Sequence, residues 1–155
     1  MSIDIPAGFV PFKLTFGFFG ANGPFYGKWA DDHLLLGFRV ELRHCNPGRA
    51  CHGGMLATFA DMFLLISSRF QAKTDTGFIP TVNLTCDFLA PAPLGAWVES
   101  RADTLKVTRN LLFAQGSASA DGVPVLRTSG IFKVTSNDAA KRGGSSLQNL
   151  FDFES

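Results

Sequence analysis

Asn46-Pro47-Gly48-Arg49-Ala50-Cys51-His52-Gly53-Gly54-Met55-Leu56-Ala57-Thr58-Phe59-Ala60-Asp61 is the stretch on which the reading of this chain turns. Pro47 and Gly48 break the element before them, and no further Gly or Pro interrupts the chain between Gly54 and Gly77. From Met55 onward Leu56, Phe59, Ala60, Phe63 and Leu64 recur at helical spacing, which predicts a helix with one apolar face over about Gly53 to Phe70.

Gly53 and Gly54 open that helix and let the backbone approach a ligand with no Cβ in the way. The first N–H groups of a helix have no internal partner and carry the positive end of its dipole, so a carbonyl oxygen gaining negative charge is stabilised there. Two turns on, Asp61 is a base or a nucleophile if the helix presents it to a cleft. Its neighbours in the helical lattice, read as Phe59, Ala60, Met62 and Phe63, surround it with apolar side chains, so a partly desolvated carboxylate is expected. Taken singly, Gly-Gly is also an ordinary helix entry and Asp61 an ordinary solvated charge, and only the full pattern raises either above that.

Working outward, Phe25 to Ala30 reads as a strand, Asp31-Asp32 as a turn and Leu34 to Leu42 as a second strand. In the second, Leu36, Phe38, Val40 and Leu42 alternate against Gly37, Arg39, Glu41 and Arg43. After the helix and an exit over Gln71 to Gly77, strands are expected over Thr81 to Phe88, Ala96 to Val107, Leu111 to Ala120 and Val123 to Thr135, with Asp121-Gly122 as a hairpin turn. Two strands, one helix and four strands, with no internal repeat, make the class α+β.

The first 24 residues are rich in Phe and Gly, and Pro6 and Pro11 argue against one long helix. A short helix or ordered coil that packs its aromatics on the body is expected, the alternative being that Phe9, Phe12, Phe16, Phe18 and Phe19 line or lid a pocket. Residues 136–155 have a polar linker composition ending in Leu150, Phe151 and Phe153, which either dock on the body or on a neighbouring subunit. The globular domain is therefore expected over residues 25–135.

The chain has 155 residues, 46% apolar and 17% charged, the size of one domain with a real core. A net charge of +1 gives no electrostatic argument for nucleic acid. No apolar run is long enough to span a membrane, and an N-terminus carrying Asp4 does not read as a secretory signal, so a cytoplasmic protein is expected. Three cysteines fit a reducing compartment. His44-Cys45 and Cys51-His52 form a pattern that on sight is a zinc site, but the spacing is not that of a structural site, and buried apolar cysteines are expected with no metal. The chain contains no Gly-x-Ser-x-Gly, so it is not read as a serine hydrolase.

Asn46, His52-Gly53-Gly54, Ala57 and Asp61 together resemble the hotdog-fold acyl-CoA thioesterases, in the branch of the phenylacetate-pathway (PaaI-like) enzymes within the 4-hydroxybenzoyl-CoA thioesterase superfamily. In that branch His-Gly-Gly opens the long central helix, an Asn lies six residues before the His and an acid nine after it, and all three spacings hold here. The resemblance implies a curved antiparallel sheet wrapped around one central helix. It also implies edge-to-edge homodimers, often paired again into homotetramers, with the active site at the subunit interface. Gly53 would then donate its N–H to the thioester carbonyl, and Asn46 would hold the attacking water or orient the carbonyl. Asp61 from the facing subunit would act as general base or as nucleophile, and His52 would organise the turn. Thr81, where related enzymes place a Ser or Thr, would bond the water or the acid; an ordinary strand Thr is the alternative.

Coenzyme A is part of the expected substrate, so no separate cofactor is implied. Its phosphates need a few cations, and Lys106, Arg109 and Arg127 lie near strand ends, with Arg109 at a turn where family members often carry a basic residue. The expected activity is hydrolysis of an aromatic or medium-chain acyl-CoA to free acid and coenzyme A. The alternative is a hotdog module that binds acyl-CoA or serves in assembly without hydrolysis. A hotdog hydratase would pair an Asp with a His in a different spacing.

Overall fold

The apolar stripe read from the sequence organises the core. In the computed structural model, which describes residues 4–72, 79–134 and 150–152, helix α2 (Gly53–Gln71) buries Leu56, Phe59, Ala60, Phe63 and Leu64. Phe25, Phe38, Phe59 and Phe63 form a ladder of rings, with centroids 4.8 Å apart between Phe38 and Phe59 and 5.2 Å between Phe59 and Phe63. Burying each such ring contributes about 1.5–3 kcal/mol, so much of the Phe content fills the core. At Gly116 a Cβ would lie 2.8 Å from the Phe63 ring and 2.6 Å from the Arg101 carbonyl oxygen. A bare backbone there lets α2 seat Phe63 on the sheet.

The strands are β1 (Val10–Pro11), β2 (Tyr26–Ala30), β3 (His33–Arg39), β4 (Thr81–Phe88), β5 (Trp97–Val107), β6 (Leu111–Ala120) and β7 (Val123–Lys133). They form one antiparallel sheet in the order β1-β2-β3-β5-β6-β7-β4, curved around α2. The expected sheet around one helix is thus present. Asp121 (φ 46°) and Gly122 (φ 84°) make the β6–β7 turn in the left-handed region, as Asp-Gly predicts. Among the described residues no helix is long and apolar enough to cross a membrane.

The second strand departs from its expected length. It ends at Arg39, and Leu42–His44 form a 3-10 turn capped by Glu41, whose N–H donates to His44 Nδ1 at 3.0 Å. Local capping wins over continued pairing, and Leu42, expected on the inner face, is 65% exposed. The N-terminal segment forms β1 and the short helix α1 (Gly17–Asn22). Phe9 meets Trp97 edge-on at 4.9 Å and Phe12 is buried against Phe19 and Phe151, whereas Phe16 and Phe18 are exposed.

At the far end of α2, Gln71 Oε1 accepts from the Thr104 N–H at 2.6 Å. Beside it His33 lies between two carboxylates, Nδ1 2.6 Å from Asp32 and Nε2 2.8 Å from Asp103. Only the imidazolium donates to both, and the hydrogen bond to Asp103 holds the His33 pKa above its ordinary value.

The two edges of the sheet are unequal. Beside β1, Phe151 bridges Phe12, the Leu150 carbonyl accepts from the Lys13 N–H at 2.9 Å, and Leu150 and Phe151 are buried. That end of the tail docks on the body; the rest of it, and the exit segment 73–77, lie outside the described residues. The other edge is β4, where no described residue pairs along the outer side and Val82 and Phe88 remain more than half exposed.

Candidate active site

The turn before α2 is built by Asn46. Its N–H donates to the Ala50 carbonyl at 2.8 Å, and its Oδ1 accepts from the Ala50 N–H at 3.2 Å, closing a loop in which Arg49 (φ 58°) is left-handed. Half the Asn46 amide is therefore spent on the loop, and its NH₂ group is the part available to a ligand. Antiparallel bridges between Cys45 and Cys51 and between Ala50 and Pro93 hold the loop down.

His52 is the N-cap of α2, in extended conformation (φ −62°, ψ 138°), and its Nδ1 accepts from the Gly54 N–H at 2.8 Å. That bond requires Nδ1 to be unprotonated, so the exposed imidazole organises the turn. The Met55 and Leu56 N–H groups bond to the His52 carbonyl. Of the helix's first N–H groups this leaves the Gly53 N–H without an acceptor among the described residues.

Gly53 opens onto a groove of about 370 Å³ lined by Asn46, Ala50, Cys51, Leu56, Phe88, Leu89, Ala90 and Pro91. The Phe88 ring closes one side, 3.5 Å from where a Cβ on Gly53 would lie. With Gly53 and Asn46 both lining this largely apolar groove, a free N–H and an amide NH₂ can grip a carbonyl oxygen and seat an apolar acyl group beside it.

Asp61 and Thr81 meet: the Thr81 hydroxyl donates to Asp61 Oδ1 at 2.6 Å, joining α2 to the first residue of β4. The apolar neighbours Phe59, Ala60, Met62 and Phe63 do not surround the carboxylate. All four are buried in the core while Asp61 is partly exposed, because adjacent helical residues diverge by about 100°. Of the residues three and four positions away on its face, Ala57, Thr58 and Leu65 are likewise half-buried and Leu64 is buried. Asp61 lies about 12 Å along the helix axis from Gly53, and neither it nor Thr81 lines the groove.

The three cations divide between the ends of the sheet. Lys106 and Arg109 are exposed at the β5–β6 hairpin. Lys133 N–H bonds Pro80 O and Val134 N–H bonds Asn110 O, which puts that hairpin near the Thr81 end of β4. Arg127 lies toward the Phe88 end, paired with Asp87 at 2.8 Å. Of the His-Cys and Cys-His pairs, the His44, Cys45 and His52 side chains bond backbone groups. Both His44 ring nitrogens bond backbone groups, and burial, with the Cys45 thiol beside it, pushes the Cys51 thiol up to about 12. From the sequence Leu56 reads only as a core residue, and Phe88 and Pro91 do not read as site residues; their signal is position, in the first turn of α2 and at the end of β4.

Residues 48–125 match the thioesterase superfamily family model. The chain is 30% identical over 131 residues, 84% of its length and 97% of the relative's, to a Pseudomonas aeruginosa protein that bears the name "putative esterase". Among solved structures, the phenylacetic acid degradation protein PaaI of Thermus thermophilus, as a point mutant, superimposes with a TM-score of 0.65 at 22% identity, covering 76% of this chain and 98% of that one. A hypothetical thioesterase of Streptococcus pneumoniae, solved with coenzyme A, gives 0.63 at 18% identity over 76% and 94%. At these identities the two structures speak to the fold, which is the hotdog fold.

Proposed function

Because the chain belongs to the thioesterase superfamily and is a thioester hydrolase, we propose that its substrates are acyl-CoAs, cleaved to free acid and coenzyme A at a site shared by two copies. The observation that carries this reading is the separation of the two half-sites along β4. Gly53 and Asn46 lie by its Phe88 end, Asp61 and Thr81 at its other end.

Among the described residues β4 is a bare edge of eight residues with exposed apolar side chains, a surface that proteins in water cover. A second copy pairing with it antiparallel about a two-fold axis sets the Thr81 end of one β4 against the Phe88 end of the other. Asp61 of one copy then faces Gly53 and Asn46 of the other, and two equivalent sites form. The homodimer is the smallest active unit, and pairing of dimers into a tetramer adds nothing the site requires.

In each site the Gly53 N–H and the Asn46 amide hold the thioester oxygen. Asp61, its free oxygen turned to the groove and the other held by Thr81, deprotonates the attacking water or attacks the carbonyl itself. The groove lining of Leu56, Phe88, Leu89 and Pro91 suits an aromatic or medium-chain acyl group, and Arg109 with Lys106 supplies charge for the coenzyme A phosphates. The test is release of free thiol from aryl-acetyl, benzoyl, short-, medium- and long-chain acyl-CoAs. Turnover should be highest for an aromatic or medium-chain member. A folded protein that turns over none of them overturns the reading.

A further inference from the structure

The residues just before the motif hold a second device. His44 is buried and its ring makes two hydrogen bonds: Nδ1 accepts from the Glu41 N–H at 3.0 Å, and Nε2 donates to the Asn22 carbonyl at 3.0 Å. The ring also stands edge-on to Phe38, centroids 5.4 Å apart. Beside it Arg43 donates to the carbonyls of Ala21, at 2.8 Å, and Gly23. Two adjacent side chains thus gather three successive carbonyls where α1 ends. On its other side His44 reaches the site through its backbone, its carbonyl accepting from the His52 N–H at 2.7 Å. His52 caps α2 and fixes where the Gly53 N–H points.

We propose that His44 is a positioning residue for thioester hydrolysis, transmitting the seat of α1 to His52 and so aiming the Gly53 N–H at the thioester oxygen. This rests on the function proposed above. His44 touches no substrate; it acts through His52. The neutral imidazole with its proton on Nε2 is the form that makes both bonds, and burial, with Arg43 beside it, holds the His44 pKa below its ordinary value, which keeps that form in place. A misaimed donor leaves binding of the apolar acyl group alone and weakens the grip on the oxyanion, so the effect falls on kcat.

The experiment measures kcat and KM on the best acyl-CoA for the wild type, His44→Ala, His44→Gln, His44→Asn and Asp61→Asn, at a temperature where near-ultraviolet circular dichroism shows each to be folded. His44→Ala is expected to lose at least about tenfold in kcat with KM changed less than about twofold. His44→Gln, whose amide reaches the Asn22 carbonyl as Nε2 does, should recover most of that loss, and His44→Asn, too short to do so, should not. A folded His44→Ala with wild-type kcat, or a Gln variant no better than Ala, overturns the proposal while leaving the function standing. A wild type that turns over no acyl-CoA removes the function itself and this proposal with it. If Asp61→Asn keeps wild-type activity, the role of Asp61 is what fails, and the His44 comparison still decides this one.

Discussion

Asp61→Asn is expected to lower kcat by at least about a hundredfold while leaving the fold intact. Asn keeps the shape of the side chain and an oxygen that accepts the Thr81 hydroxyl, so the tie between α2 and β4 at 2.6 Å survives. It removes the one property the chemistry needs, a carboxylate that takes a proton or attacks carbon. Asp61 is partly exposed, so its replacement should change stability by no more than about 0.5 kcal/mol. The measurement is steady-state kinetics beside thermal unfolding. Loss of kcat at an unchanged midpoint identifies a catalytic role, whereas a parallel loss of both points to structure.

Gly53→Pro should lower kcat by about a hundred- to a thousandfold, the cost of one lost oxyanion donor. Gly53 is the first residue of α2, the one helical position where proline is welcome, since the N–H it removes has no partner in the helix. The preceding His52 already has the extended backbone (φ −62°, ψ 138°) that a following proline demands. A Cβ at this position meets Phe88 at 3.5 Å, an ordinary contact. The substitution therefore removes the N–H without breaking the helix, and its Cδ takes the place the amide hydrogen held. Circular dichroism should show α2 retained; a Gly53→Pro enzyme that is folded and fully active would mean the oxyanion is held elsewhere.

Much of this architecture is legible in the sequence because its signals are local. The spacing of Leu56, Phe59, Ala60, Phe63 and Leu64 gives α2 and its buried face, and Asp121-Gly122 gives the last hairpin. What stayed hidden depends on partners distant along the chain. The salt bridge of Arg127 to Asp87 spans 40 residues and the His44 bond to Asn22 spans 22, and neither leaves a periodic trace. Leu42 fits the strand alternation, yet Glu41 and His44 cap a turn that lifts it out. Asp61 is half-buried, but Phe59, Ala60, Met62 and Phe63 do not enclose it, since residues one and two apart on a helix point away from one another. The meeting of Thr81 with Asp61 follows from β4 folding back along α2, which pattern alone suggests but does not dimension.

The most direct test of a site shared by two copies is the hybrid dimer of Asp61→Asn and Gly53→Pro, co-expressed with two different tags and purified through both. Each parent homodimer lacks one half of both of its sites. In the hybrid, one site receives the intact Gly53 of the first chain and the intact Asp61 of the second, so about half of wild-type activity should return per dimer. A hybrid as inactive as its parents would contradict the shared site and place Gly53 and Asp61 at work within a single chain.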